Sequence, residues 1–140
     1  MDATDYLEQI AYASVAMTAL SLVELAVEIT FVQWRALVIL LPNPDGLTVS
    51  EIAERLGAGL SPASRLVGRM RRRGLVATSR DPADGRIRRV ALTPTGANLC
   101  RQVLARRRER LEEIARAVDA DDEHTTAFLG RLARAYAPYL

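Results

Sequence analysis

Hydrophobic and polar positions follow a helical period over most of the chain. In residues 30–41, TFVQWRALVILL, apolar side chains recur at i, i+3, i+4 and i+7 behind a Thr-x-x-Gln capping box. Residues 48–57, TVSEIAERLG, repeat this combination, and Gly57 is suited to the left-handed end of a helix. Between them, the prolines and glycine of PNPDG, residues 42–46, cannot continue a helix. Two successive helices are therefore predicted.

A further helix is predicted over residues 61–74, SPASRLVGRMRRRG. Ser61 is placed as its N-cap, Pro62 at its first helical position and Gly74 at its end. A short turn joins it to the preceding helix, so the pair has the arrangement of a helix-turn-helix. Its inward face consists of Ala63, Leu66, Val67 and Met70.

After Gly74 the pattern changes from helical to alternating. The segments LVATSR (75–80) and RIRRVALT (86–93) predict two strands, and DPADG (81–85) predicts the turn between them. Val90 then lies on the inward face of the second strand. A hairpin directly after a helix-turn-helix is predicted to be the wing of a winged helix.

The chain begins with an apolar helix, predicted over residues 5–28. A narrow polar stripe runs along it through Ser14, Thr18, Ser21 and Glu24. Because a charged glutamate is unfavourable in lipid, we expect a soluble helix and no membrane span. Its apolar surface is wider than one neighbour can cover, so the helix is expected to be buried on most sides, in part by a second subunit.

A long helix is predicted from Pro94, with Thr93 as its cap, to about residue 119, and a last helix begins near Asp121. At ~1.5 Å per residue the long helix spans about 40 Å, more than the winged module needs. The expected fold is mainly α with a small β-hairpin wing. We expect an N-terminal dimerisation helix at 1–29, a winged helix-turn-helix at 30–96, and linking and dimerisation helices at 97–140, all in one compact subunit.

Charge is distributed unevenly, although the formal net charge is only +2. Residues 1–60 hold two arginines and eight acids, residues 61–110 fourteen arginines and three acids, and residues 111–140 three arginines and six acids. A basic block between acidic ends is typical of a protein that binds a polyanion.

The basic block places arginines on the outward face of the helix at 61–74. At ~100° per residue, its apolar side chains lie within about 60° of Ala63. Small residues let a helix backbone approach base pairs, and arginine binds O6 and N7 of guanine. The face is therefore predicted to read the major groove, with a solvated charged face as the alternative. On it lie Ser61, Arg65, Gly68 and Arg72, with Arg69 at one edge.

The turn of the hairpin carries a second candidate contact. Arg86 stands at its tip and is predicted to enter a narrow minor groove, where the negative potential is enhanced. Asp84 lies two residues away and is expected to orient the Arg86 guanidinium. The alternative is an ordinary Asp-Pro and Asp-Gly turn. Arg88, on the second strand, completes the candidate DNA-binding set.

Five segments, in this order and spacing, resemble the MarR family of transcription regulators: GLTVSEIAERLG, SRLVGRM, RRGLV, RDPADGR and LTPTG. The resemblance implies a homodimer formed through the first and last two helices, and a repressor of a palindromic operator that a small molecule releases. Carried over by position, it places Ser61, Ser64, Arg65 and Arg69 in the major groove, and Arg86 in the minor groove beside Asp84.

Two departures from the family pattern stand out. In AGLSPAS the Ser-Pro pair comes two residues later than is common, and Ala63 replaces a larger apolar residue. Gly85 stands where the family often has another arginine. These departures concern the start of the recognition helix and the strength of the wing contact.

The chain lacks the residues that an enzyme of the common classes needs. It has one cysteine, Cys100, and one histidine, His124, without metal-ligand spacing, so we expect no metal and no cofactor. A single cysteine cannot form an internal disulfide, which fits a cytoplasmic protein. Partners are expected to be double-stranded DNA, a second copy and a small-molecule effector whose binding residues stay unassigned. The rival interpretation is a winged helix that grips an acidic protein.

Overall fold

The computed structural model describes residues 1–140 and confirms a mainly helical fold with a small antiparallel sheet. Two compact units, Met1–Leu104 and Ala105–Leu140, divide the chain. The elements in chain order are α1 (Ala3–Glu24), α2 (Phe31–Leu40), β1 (Leu47–Thr48), α3 (Val49–Leu56), α4 (Leu60–Arg72), β2 (Val76–Arg80), β3 (Arg88–Leu92), α5 (Pro94–Ala117), α6 (Glu123–Tyr136) and a short 3₁₀ helix (Ala137–Tyr139).

Both predicted capping boxes are present. The Thr30 hydroxyl accepts from the Gln33 N–H at 3.1 Å, and the Gln33 side chain accepts in return from the Thr30 N–H at 2.9 Å. Thr48 and Glu51 make the same reciprocal pair at the start of α3. Gly57 ends α3 in the left-handed conformation, with φ of 66°. Local capping therefore fixes the start of α2 and both ends of α3.

The start of α4 differs from the prediction, because Gly59 and not Ser61 is the N-cap. The first helical hydrogen bond joins the Ala63 N–H to the Gly59 carbonyl at 3.1 Å. Pro62 consequently occupies the third helical position, where its missing N–H removes no intrahelical bond. The predicted end is confirmed: Gly74 has φ of 71°.

Helix α1 ends at Glu24, four residues before the predicted end. Ala26 adopts the left-handed conformation with φ of 52°. The Val27 N–H donates to the Leu22 carbonyl at 2.9 Å, and the Ala26 N–H donates to the Val23 carbonyl at 3.0 Å. These two bonds form a Schellman motif, after which Val27 packs against the hydrophobic core.

Within the single chain α1 is buried along one side only, so its burial on most sides, which includes burial by a second subunit, stays a prediction. Its buried residues are Thr18, Ser21 and Leu22, so part of the polar stripe faces inward. The buried hydroxyl of Thr18 donates to the Ser14 carbonyl of the same helix at 3.2 Å, so its hydrogen-bonding capacity is met within α1. No helix in the chain combines the length and apolar character that crossing a bilayer requires. The large apolar side chains that α1 exposes are Tyr6, Ile10, Tyr12, Val15, Leu20 and Val23.

The hairpin is confirmed, with β2 and β3 antiparallel from Val76 opposite Leu92 to Arg80 opposite Arg88. The sheet also contains β1, which the sequence pattern did not reveal, and its order is β1-β3-β2. Leu47 of β1 pairs with Val90. A strand of two residues has no alternation to detect, so only its pairing with β3 identifies it.

Helix α5 begins as predicted, because the Thr93 hydroxyl accepts from the Gly96 N–H at 3.1 Å. The same hydroxyl donates to the Gly74 carbonyl at 2.6 Å and so attaches the start of α5 to the end of α4. Cys100 and Val103 continue α5 into the core of the first unit. In the second unit, Asp122 caps α6, one residue after the predicted start. None of the α6 residues is buried, and Phe128, Leu129 and Tyr136 are exposed.

Candidate nucleic-acid interface

One face of α4 is buried and the opposite face is open to solvent. The predicted inward residues Ala63, Leu66, Val67 and Met70 are all buried. The exposed side forms a shallow groove, and no acidic side chain lines it. The angular arrangement deduced from the sequence is therefore correct. The groove is lined by Ser64, Arg65, Gly68, Arg69 and Arg72.

The start of α4 at Leu60 decides where the two serines lie. Ser61 is exposed in the first turn but does not line the groove, whereas Ser64, one turn further, does. Gly59 provides no side-chain cap, so the first turn of α4 keeps free N–H groups at its N-terminal end. Of the two candidate serines, the structure brings only Ser64 together with the arginines.

Of the nine arginines between residues 65 and 89, two have partners within the chain. Arg73 donates to the Glu28 carbonyl, and Arg89 forms an ion pair with Asp81. The other seven guanidinium groups form no hydrogen bond or ion pair within the chain and lie on exposed residues. They are Arg65, Arg69, Arg71, Arg72, Arg80, Arg86 and Arg88.

Asp81 begins the turn between β2 and β3, and it is buried. Its carboxylate accepts from the guanidinium of Arg89 and from the N–H groups of Ala83, at 2.8 Å, and Asp84, at 3.1 Å. The Arg89 hydrogen bond is the main cause that lowers the pKa of Asp81, and the two N–H bonds act in the same direction. The turn is thus built around a fixed negative charge.

Asp84 does not orient the guanidinium of Arg86, and this prediction is wrong. Its carboxylate accepts from the backbone N–H of Arg86 at 3.0 Å. The side chain of aspartate is short, and in such a turn it reaches the backbone two residues on more readily than a distant side-chain group. The Arg86 guanidinium is left exposed and unpaired at the tip of the wing.

Arg89 is a residue that holds the wing in place, and the sequence analysis did not single it out. Besides its ion pair with Asp81, it donates to the Gly46 carbonyl at 3.1 Å, and the Asp81 contact raises its pKa. Gly46 has φ of +84°, and a Cβ on it would lie 2.8 Å from the Val90 carbonyl oxygen. Arg89 therefore joins the wing to the segment before β1. The alternation of the strand places Arg89 on the face opposite Val90 and gives no sign of partners 8 and 43 residues away in the sequence.

The remaining reactive side chains show no catalytic or metal-binding arrangement. Cys100 is buried, and desolvation raises the pKa of its thiol to about 11, so a reactive thiolate is strongly disfavoured. No group of three or more potential metal ligands occurs in the chain. In the basic segment 106–110, Arg106 pairs with Glu109, and Arg108 pairs with Glu112.

Comparisons with known proteins agree with this geometry. The sequence model of the MarR family matches residues 28–87. The repressor IacR of Pseudomonas putida, described as an HTH-type transcriptional repressor, is 36% identical over 84 residues, which make up 60% of this chain. The matched stretches span about half the length of the curated relatives, 47% and 45%.

Two solved structures share the fold over nearly the whole chain. RV1404 from Mycobacterium tuberculosis is 32% identical with a TM-score of 0.77, and the match covers 96% of this chain and 89% of that one. A MarR family protein from Bacillus stearothermophilus is 26% identical with a TM-score of 0.79, and the match covers 96% and 90%. On these grounds the chain belongs to the MarR family, whose members are transcriptional regulators and not enzymes.

Proposed function

We propose that the chain binds double-stranded DNA sequence-specifically and acts as a homodimeric repressor of a palindromic operator. The observation that carries this proposal is the α4 groove, where Arg65, Arg69 and Arg72 lie together without an acidic partner. A solvated helix face normally mixes charges of both signs, and this one does not. The similarity to the repressor IacR supports the direction of regulation.

In this proposal α4 lies in the major groove. Arg65 and Arg69 donate paired hydrogen bonds to O6 and N7 of guanine, and Ser64 contacts a neighbouring base or phosphate. Arg72 lies one turn further along the same face and neutralises a phosphate. Ser61, in the first turn, contacts the backbone near the N-terminal end of α4, where free N–H groups favour an anion.

The wing supplies the second set of contacts. Arg86 enters the minor groove, and Arg88 binds the adjacent phosphates. Asp84 takes part by shaping the turn that presents Arg86, since its carboxylate holds the backbone N–H of that residue. Because the guanidinium groups of Arg86 and Arg88 are unpaired in the free chain, their binding to DNA breaks no internal ion pair.

Replacing Arg86 by alanine is expected to weaken binding to the operator and to random duplex alike. A phosphate or minor-groove contact carries little sequence information, so the loss is about equal for both duplexes. In a gel-shift series over salt, the slope of log K against log salt falls by about 0.9 for each phosphate that the variant no longer neutralises. Arg116→Ala, at the exposed end of α5, is the control and leaves the slope unchanged.

A failure of the wild-type chain to bind any duplex at low salt would overturn this function. That result would favour the second candidate, a winged helix in which the same arginines grip an acidic protein. Relief of repression by a small molecule rests on family membership, and no residue is assigned to it.

The proposed dimer rests on α1 and α6. Helix α1 directs Thr18 and Ser21 towards its own subunit and leaves most of its large apolar side chains exposed, and α6 buries none of its residues. The exposed apolar side chains of these helices form larger continuous patches than the single apolar residues that are scattered over the surface of a monomer. A second copy of the chain is the occupant we propose, because two α4 helices related by a two-fold axis match the half-sites of a palindrome.

Ile10→Asp is expected to convert the dimer to a monomer. Ile10 is exposed in the single chain, so the change spares the core, but in the dimer it would bury a charge at a penalty of about 3 kcal/mol. Light scattering over a dilution series measures the mass. Ser79→Asp adds the same charge at an exposed site on β2 and keeps the dimer. A wild-type chain that stays monomeric at micromolar concentration would contradict the proposal.

A further inference from the structure

Gly68 is a helix-interior glycine for which the fold shows no internal reason. It lies inside α4, Leu60–Arg72, two turns after the first helical residue and one turn before the last. Glycine in a helix interior is less stable than alanine by about 1 kcal/mol, because its backbone loses more freedom on folding. A glycine that lowers the stability of the helix in this way is expected to serve another purpose, either in packing or in binding.

Packing within the chain does not supply that role. A Cβ built on Gly68 would meet only the Nη1 atom of Arg72, at 3.8 Å, which is an ordinary van der Waals contact with a flexible side chain. Its φ is not in the left-handed region. Gly46 and Gly96 differ, because a Cβ on either would lie under 3.0 Å from a backbone oxygen. The fold excludes a side chain at those two glycines but not at Gly68.

The space that the missing side chain leaves opens outward. Gly68 lines the exposed groove of α4 between Arg65 and Arg72, and none of the arginines there is tied to a carboxylate. A methyl group at this position would stand on the surface beside the Arg72 guanidinium and would touch no atom of the core. The absence of a side chain therefore affects only a molecule that approaches the groove from outside.

We infer that Gly68 is a specificity-determining residue, which lets the α4 backbone lie directly against base-pair edges while the flanking arginines bind beside it. This inference rests on the proposed function and deepens it. The ligand is the major-groove edge of a duplex, and a thymine with its projecting C5 methyl group fits opposite Gly68. A side chain there holds the helix away from the bases and lengthens the arginine hydrogen bonds together.

The test compares Gly68→Ala with a matched control, Gly130→Ala. Gly130 is also a helix-interior glycine, in α6, and its added Cβ would likewise meet only an arginine Nη1 atom, that of Arg134 at 3.6 Å. The probe is the duplex that the wild-type chain recovers from a library with a randomised core, beside a scrambled duplex of the same composition. Titrations give the preference for the recovered duplex, thermal unfolding gives stability, and light scattering reports the assembly.

Both variants are expected to unfold at higher temperature than the wild type. Gly68→Ala should lose about tenfold or more of its preference for the recovered duplex, as a mismatched base pair does, and keep its affinity for the scrambled one. Because Gly130 lies in α6, which belongs to the proposed dimer surface, the affinities of Gly130→Ala are compared on protein that light scattering shows to be assembled. On that protein both affinities should be unchanged. Selection repeated with Gly68→Ala should recover a different base at the position opposite residue 68.

Two results would overturn the inference about Gly68 alone. In the first, Gly68→Ala keeps the wild-type preference for the recovered duplex while Arg65→Ala loses it. In the second, Gly68→Ala unfolds at a lower temperature than the wild type, which would show that Gly68 has a role inside the fold. If the wild-type chain itself recovers no preferred duplex, the proposed function fails as well. The failure of the inference and the failure of the function are therefore distinguishable.

Discussion

Replacing Arg65 and Arg69 together by alanine is expected to remove most of the preference for the operator over random DNA. A single base-reading contact contributes about 1–3 kcal/mol of discrimination. The two residues are neighbours on one helix turn, so their effects do not add fully. We expect a combined loss of about 3 kcal/mol, or roughly two orders of magnitude in the ratio of the two affinities.

The physical basis is the state of these guanidinium groups in the free chain. Both lie in the open groove of α4 and have no ion pair within the chain, so truncating them breaks no internal interaction. The buried face of α4 is untouched, and the fold should remain stable. Any change in discrimination then reports the interaction with DNA and not a smaller amount of folded protein.

Arg71→Ala is the matched control for this pair. Arg71 is exposed on the same helix and carries the same charge, but it does not line the groove. Its removal should weaken binding to operator and random duplex about equally. Titration of both duplexes at one salt concentration measures each ratio. If the double variant keeps the wild-type ratio of operator to random affinity, as the Arg71→Ala control should, then α4 does not read bases through this face.

Gly96→Ala is expected to have the largest effect on stability, a loss of about 3 kcal/mol in the free energy of unfolding. A Cβ at this position would lie 2.1 Å from the Leu75 carbonyl oxygen and 3.0 Å from its carbon. Both atoms belong to backbone, which cannot move aside as a flexible side chain does. The same oxygen accepts from the Thr93 N–H at 3.1 Å, so the clash also disturbs the start of α5.

Urea unfolding followed by circular dichroism measures this loss. Gly68→Ala provides the contrast, because the same chemical change at an open helix position should raise stability. A stability of Gly96→Ala within about 0.5 kcal/mol of the wild type would mean that α5 does not approach Leu75 as closely as the structure shows. The two variants thus separate a glycine that the fold requires from one that it tolerates.

Local signals in the sequence predicted most of the elements correctly. The capping pairs Thr30–Gln33 and Thr48–Glu51, the glycine ends at Gly57 and Gly74, and the Asp-rich turn of the hairpin all depend on residues within a few positions of each other. Such interactions are decided by the backbone geometry of one helix turn or one hairpin. For the same reason, the angular arrangement of the α4 face was predictable.

The errors occur where a contact joins distant parts of the chain or where two local choices compete. Gly59 and Ser61 are both acceptable caps for α4, and the sequence favoured Ser61, which the structure contradicts. Asp84 had two possible partners in Arg86, and the backbone N–H was the nearer one. Helix α1 ends earlier than predicted, and Val27 beyond its end packs against the core. In each case the choice depends on what lies nearby in space.

The sequence by itself determined the class of fold, the order of its helices and strands, and the basic face of α4. Tertiary structure alone decided that β1 pairs with β3 and that α1 turns Thr18 and Ser21 inward. It also decided that Arg89 joins Asp81 to Gly46, which precedes Arg89 by 43 residues. The reason is physical. Capping and periodicity act over three or four residues, whereas partners distant in sequence meet only after the whole core has formed.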